Sequence, residues 1–175
     1  MSRGACRVPE AISDTGPILH LHEIGRLEAL APVAPLIFPN RVWKELRQRG
    51  LERSSLEGAG LDLTVVDVEG SGWERFLSNP EPGLQPADAQ VFLLAEESRF
   101  EALVLTDDLV LRRRLEAHGA TVVGSVGILI RAHASGRLLR NEFERSMESL
   151  LEESSLHLSR AFRAYVRKLL ADLVQ

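Results

Sequence analysis

The stretch Ala102-Leu103-Val104-Leu105-Thr106-Asp107-Asp108 decides the fold. A continuous apolar run closed by polar residues suits a strand buried on both faces in the middle of a parallel sheet. Parallel strands need long crossovers, usually helical, and the flanking segments supply them. After the strand, residues 109–117 carry leucines at helical spacing and stop at Gly119, the residue type favoured just past a helix end. Thr121-Val122-Val123 reads as the next strand. Before the strand, the loop Asn79-Pro80-Glu81-Pro82-Gly83 precedes Pro86, which opens a helix over 87–98 with Val91, Leu94 and Ala95 inward.

The alternation continues toward the N-terminus. Residues 8–12 form a short strand that runs into Asp14-Thr15-Gly16-Pro17, with Pro17 placed as a first helical residue. Ile18, Leu21, Ile24, Leu27 and Leu30 recur every three residues, so one amphipathic helix is expected over 17–30. Leu36-Ile37-Phe38 is a short buried strand, ended by Pro39-Asn40 and followed by a helix carrying Val42, Trp43 and Leu46. Residues 61–68 read as an edge strand and 71–77 as a short helix; beyond residue 123, the segments 126–134, 138–151 and 158–173 are helical. Strands alternating with helices predict a three-layer α/β fold, a mostly parallel twisted sheet with helices on both faces. The expected division is one domain over 8–136, with a C-terminal helical extension over 137–175 packed on it.

Composition narrows the function. The 175-residue chain is 45% hydrophobic and 26% charged, which excludes a disordered, fibrous or disulfide-dense protein. Its net charge of -4 provides no molecule-wide field for attracting nucleic acid or anionic membrane, so a polyanion must meet a local basic patch or a bound cation. The lone Cys6 cannot form an intramolecular disulfide, and no apolar core of a secretory signal follows Met1. Uncharged stretches such as 117–130 fall short of the roughly 18 to 20 apolar residues of a membrane span. A cytoplasmic protein without a membrane segment is the expectation.

In parallel sheets ligands bind beyond the carboxyl ends of the strands, near the point where strand order reverses. Asp14 follows the first strand, Asp107 and Asp108 follow the buried strand, Asp88 opens a helix, and Glu45 lies in the second helix. Carboxylates brought close together repel, and take up protons unless a cation neutralises them. Mg²⁺, or Mn²⁺ as its substitute, answers that problem: it takes one or two carboxylates directly and keeps several waters for the others to orient. Each acid also has a purely structural reading, as a helix cap for Asp14 and one of the Asp107/Asp108 pair, a helix-terminus charge for Asp88 and a solvated helix charge for Glu45. Their joint placement favours the site.

Other chemistry has little support. His20 and His22 lie two apart on a helix, point in different directions, and read as solvated rather than as zinc ligands. No Gly-x-Gly-x-x-Gly or Walker-type loop occurs, and Gly124 and Gly127 read as a strand-to-helix turn. Arg112-Arg113-Arg114, with Arg131, Arg137 and Arg140, reads either as a phosphate-contacting rim or as solvated helix faces. Arg160, Arg163, Arg167 and Lys168 share a helix with Phe162, Val166 and Leu169, which either binds RNA or a partner or packs on the core.

Taken in order, four segments resemble the PIN-domain ribonucleases, and among them the VapC-like toxins of prokaryotic toxin and antitoxin pairs. They are Ile12-Ser13-Asp14-Thr15-Gly16-Pro17-Ile18, Phe38-Pro39-Asn40-Arg41-Val42-Trp43-Lys44-Glu45-Leu46, Pro86-Ala87-Asp88-Ala89-Gln90 and Leu103-Val104-Leu105-Thr106-Asp107-Asp108. A further segment, 122–129, resembles a branch of PIN-like proteins described as predicted nucleic-acid-binding, and the likeness spans 12–136. The resemblance implies a PIN-like fold and a metal-dependent ribonuclease hydrolysing RNA phosphodiesters. Asp14, Asp108 and Asp88 would meet Mg²⁺, with Glu45 and Asp88 positioning metal or water, Asp107 also in the catalytic set, and Thr106 and Thr15 in support. It further implies RNA, a small antitoxin and a second copy of the chain, as a homodimer, for partners. Gly16 departs from the family's common Ser or Asn, and the Asp107-Asp108 doublet offers two candidates for the fourth acid. The family's spacing of that acid, two positions after the threonine, favours Asp108. The alternative is a catalytically inactive PIN-like RNA- or protein-binding module. A receiver-like signalling domain is disfavoured because its first strand would end in an adjacent acidic pair, whereas Asp14 stands alone between Ser13 and Thr15.

Overall fold

The computed structural model describes residues 10–173; Cys6 and the expected strand start at Val8 lie outside them. Among the described residues, five strands, β1 (Ala11–Ser13), β2 (Leu36–Pro39), β3 (Leu63–Val66), β4 (Leu103–Leu105) and β5 (Val122–Val123), form one sheet. Every pairing is parallel, in the order β3-β2-β1-β4-β5. The chain moves outward from β1 to β3 and then returns to place β4 on the other side of β1, so strand order reverses between β1 and β4. There Ser13 stands opposite Leu105, and the next residues on each strand, Asp14 and Thr106, emerge side by side at the carboxyl edge.

The helices are α1 (Thr15–Glu23), α2 (Asn40–Gln48), α3 (Arg53–Gly58), α4 (Ser71–Ser78), α5 (Pro86–Glu97), α6 (Leu109–Ala117), α7 (Ser125–Ala134), α8 (Arg140–Glu152) and α9 (Arg160–Leu173). They fall into two packed groups that make the outer layers. One gathers α1 and α8 around α7, and the other gathers α4 and α6 around α5, which lies across β1 and β2. Ala11, Ile12, Val104 and Leu105 are almost completely buried between them, as the apolar runs require. Helix α8 adds Phe143, Met147, Leu150 and Leu151 to the same continuous core, and α9 adds Val166. Among the described residues, no helix is long and apolar enough to cross a membrane.

The expected single helix over 17–30 breaks in two. Helix α1 closes at Ile24, Gly25 turns to φ +64°, and Leu27–Val33 winds as a 3₁₀ helix. The cause is the spacing itself: a strict three-residue apolar step is the period of a 3₁₀ helix, and Leu27, Leu30 and Val33 keep it. Glycine supplies the left-handed residue that ends α1. Helix α3 was not expected, because it buries only Leu56 and carries no periodic signal.

Phe143 is 1% exposed and stacks on His133 with ring centroids 4.7 Å apart, tying α8 to α7. Replacing it with alanine opens a cavity inside the shared core. Phe143→Ala should cost about 3–5 kcal/mol, the usual range for a buried aromatic. Urea unfolding followed by far-UV circular dichroism should show it as a single earlier transition; an unchanged midpoint would mean that α8 is not part of the cooperative unit.

Candidate metal centre at the carboxyl edge of the sheet

The reversal of strand order places Asp14 at the middle of the edge, and local bonding holds it there. Its backbone N–H donates to Leu105 O at 2.9 Å, which continues the β1–β4 ladder by one residue. Its Oδ1 accepts from the Thr15 N–H at 2.6 Å, capping α1, and its Oδ2 accepts from the Thr106 hydroxyl at 2.9 Å. Thr15 in turn donates its hydroxyl to Glu45 Oε2 at 2.7 Å, joining the first turn of α1 to α2. The Thr106 oxygen also accepts the Asp108 N–H at 3.1 Å, and Asp108 Oδ1 caps α6 by accepting from Leu111 N at 2.7 Å. Asp88 Oδ2 accepts from Gln85 N at 2.9 Å, closing the box that starts α5.

The structural reading of these acids is met at three of them. Asp14, Asp88 and Asp108 each cap a helix, so the positive ends of α1, α5 and α6 are turned toward their carboxylates. Even so the local charge is not balanced. Asp14 is 7% exposed, and burial, then the charge of Asp88 and, less, that of Glu45, push its carboxyl up to about 7 against the hydrogen bonds that favour ionisation. Burial likewise lifts Asp88 to about 6, helped by Asp108 and Glu45. Asp88 and Glu45 thus lie within electrostatic reach of Asp14, and Asp108 and Glu45 within reach of Asp88. Among the described residues, none of the four pairs with a basic side chain.

An all-oxygen, uncompensated donor set suits a hard divalent cation. Among the described residues, no group of three or more His, Cys, Asp or Glu side chains is placed so that it could hold a metal ion. Repelling carboxylates have no reason to close up by themselves, and Mg²⁺ takes only one or two directly, so an open rim is compatible with such an ion.

Asp107 goes elsewhere. Its carboxylate is held by His20 Nδ1 at 2.8 Å, Ser125 Oγ at 2.5 Å and Ser125 N at 2.8 Å, so it caps α7 rather than joining the other acids. His20, expected to be solvated, is 8% exposed and belongs to this cluster. The two-faced reading of α1 failed because Pro17 through Leu21 are all buried. Ser125, fully buried, was overlooked although the strand-to-helix turn at Gly124 placed it at a helix start. Gly124 is required there: a Cβ would come 2.4 Å from Asp107 Oδ1.

The basic segment after β4 is neither wholly a phosphate rim nor a solvated face. Arg112 donates to Thr106 O at 2.9 Å and Val122 O at 3.3 Å, which clamps the edge of the sheet. Arg114 pairs with Glu81 and lies over Phe92, leaving Arg113 exposed. On α9, Arg163 and Arg167 both reach Glu152, fastening that helix to α8.

An open acidic rim at the strand-order reversal of a three-layer parallel α/β domain defines the class, and the comparisons give the family. The family model DUF3368, described as PIN domain, matches residues 10–172, and the chain belongs to this PIN-domain family. Among solved structures it is similar to a PilT N-terminus domain protein from the hyperthermophilic archaeon Sulfolobus solfataricus P2. That likeness has 12% identity and a TM-score of 0.47, over 85% of this chain and 99% of the other. No curated protein matches the chain significantly.

The raised carboxyls fix the sign of a pH effect. An acid whose pKa is higher in the folded than in the unfolded protein stabilises the fold at low pH, and this stability is lost as pH rises through the folded value. For metal-free protein the window runs from about 4 to about 7 for Asp14. Asp14→Asn keeps the side-chain volume and does not titrate. Its stability relative to wild type should therefore climb across that window, by at most about 1.4 kcal/mol per pH unit. Urea titrations in EDTA at several pH values measure the difference; a flat difference would show that Asp14 is not forced to bind a proton.

Proposed function

We propose that the protein is a metal-dependent endoribonuclease that hydrolyses RNA phosphodiesters, acting as the toxin of a toxin and antitoxin pair. One observation carries the chemical part: Asp14, Glu45 and Asp88 act on one another and Asp108 acts on Asp88, none of them with a basic partner among the described residues, and Asp14 is driven up to about 7 by burial and its neighbours. Such a set gains more from a cation than from any proton it can hold at neutral pH. Family membership supports a nuclease, and the order of the four acidic segments supports the toxin branch.

Asp14 and Asp108 would hold Mg²⁺, with Asp88 beside them. When bound, the ion supplies a water of lowered pKa and neutralises charge developing on a phosphoryl oxygen. Thr106 fixes the Asp14 carboxylate from one side and the Asp108 backbone from the other. Thr15 holds Glu45 by one oxygen, leaving Oε1 to orient water and accept its proton. Phosphate oxygens arriving at so negative a rim need nearby cations, and exposed Arg113 and Lys44 are placed on the helices that carry Asp108 and Glu45. Within this reading the compartment is the cytoplasm, and the partners are RNA, a small antitoxin and a second copy of the chain.

Purified protein should cut single-stranded or structured RNA in Mg²⁺ or Mn²⁺ and poorly in Ca²⁺, whose looser coordination fixes water less strictly. Asp14→Asn should lose more than about 100-fold, the upper range for losing even an outer-sphere partner of a metal site. Cleavage is read on gels from wild type and variant prepared in parallel. Equal cutting by both would mark a contaminating nuclease, and RNA binding without cutting in any metal would point to the inactive binding module.

A further inference from the structure

Behind the acidic rim, the Asp107 cluster ties three elements together. His20 brings in α1, Ser125 the start of α7, and Asp107 the turn between β4 and α6. The Asp107 carboxylate has three donors, two from Ser125 and one from His20, and its side chain is only 13% exposed. Hydrogen bonds in so dry a place are strong, and losing a donor there is costly.

The cluster is coupled to the rim by chain geometry. Asp107 lies between Thr106, which holds Asp14, and Asp108. His20 sits on the same short helix whose first turn carries the N–H and hydroxyl of Thr15 that hold Asp14 and Glu45. Helix α1 and the β4–α6 turn are thus fastened twice, in front by Thr106 to Asp14 and behind by His20 to Asp107. The backbone is shaped around the rear bond as well. Gly124 leaves room for the Asp107 carboxylate, and Gly16 faces both partners, with a Cβ there lying 3.5 Å from the His20 ring and 3.6 Å from Asp107 Cβ.

We propose that His20 and Ser125 are positioning residues: acting through Asp107, they fix the spacing of Asp14 and Asp108 and so set the affinity of the rim for a divalent cation. This rests on the metal-dependent reading above. Neither residue touches the ion or the substrate. Their effect is the tilt of α1 against the β4–α6 turn, to which a ligand set offering few direct carboxylates is sensitive.

The test is direct Mn²⁺ binding, followed by the electron paramagnetic resonance signal of the free ion and compared among wild type, Asp14→Asn, His20→Leu, His20→Asn and Ser125→Ala. Circular dichroism melts ensure that each is folded at the measuring temperature. His20→Leu should weaken binding by about 10-fold or more, as removal of an outer-sphere partner does. His20→Asn should recover most of it, because the amide can donate to Asp107 from nearly the place of Nδ1. Ser125→Ala, which keeps the backbone donor, should fall between. Wild-type affinity in His20→Leu alongside lost binding in Asp14→Asn would overturn the positioning role while leaving the metal reading standing. Undiminished binding in Asp14→Asn would overturn both. Should His20→Leu fail to fold, Ser125→Ala and His20→Asn decide, with wild-type affinity in Ser125→Ala overturning the proposal.

Discussion

Asp14 is an acid at the place where a parallel sheet reverses direction, 7% exposed and bonded to Thr106 across the gap between β1 and β4. The reversal leaves a crevice between neighbouring strands whose crossovers leave in opposite directions, so no connecting loop covers it. An ionised group in that crevice is deprived of water. It is tolerable only because the Thr15 N–H, the Thr106 hydroxyl and the start of α1 replace part of its hydration. That compensation is incomplete once Asp88 and Glu45 add their charge. The rest of the edge follows the same pattern: α5 is capped through Asp88 and α6 through Asp108, yet among the described residues no guanidinium or ammonium pairs with these acids.

The same side chains can cap helices and, in the proposed function, hold a cation, by dividing their oxygens. Asp108 gives Oδ1 to the start of α6, Asp88 gives Oδ2 to the start of α5, and Glu45 gives Oε2 to Thr15, so each retains a second oxygen. A capping bond orients that second oxygen without consuming it, since a carboxylate has about four lone-pair sites. Helix caps are thus an economical way of aiming acids at one point. The repulsion among them works against the metal-free fold, which under the proposed function is a trade of stability for activity.

The strands and the order of the acids were readable because each rests on local pattern. Leu103 to Leu105 announces a central strand, and residues that follow parallel strands necessarily share an edge. What escaped depends on contacts remote in sequence. His20 looked solvated because neither Asp107 nor Ser125, 87 and 105 residues away, is visible from α1. Arg112 and Arg114 looked like one basic face, although one returns to the backbone of β4 and β5 and the other crosses to Glu81. Helix α1 and the 3₁₀ segment merged because a three-residue step fits both periods over one or two turns.

The doublet at 107 and 108 shows how a residue repeat can encode two different sites. Successive side chains on an extended backbone point to opposite sides. Thr106 donates its hydroxyl to Asp14 and accepts the Asp108 backbone N–H, and the Asp108 carboxylate turns to the start of α6. Asp107 falls between them and turns to the other side, where α7 begins and His20 arrives. Neither acid can substitute for the other without a change of register, which would carry Thr106 away from Asp14 as well. The doublet is thus not a repeated function: Asp108 caps α6, and its neighbour Asp107 is bound to His20 and the start of α7, the contact through which we propose the spacing of Asp14 and Asp108 is held.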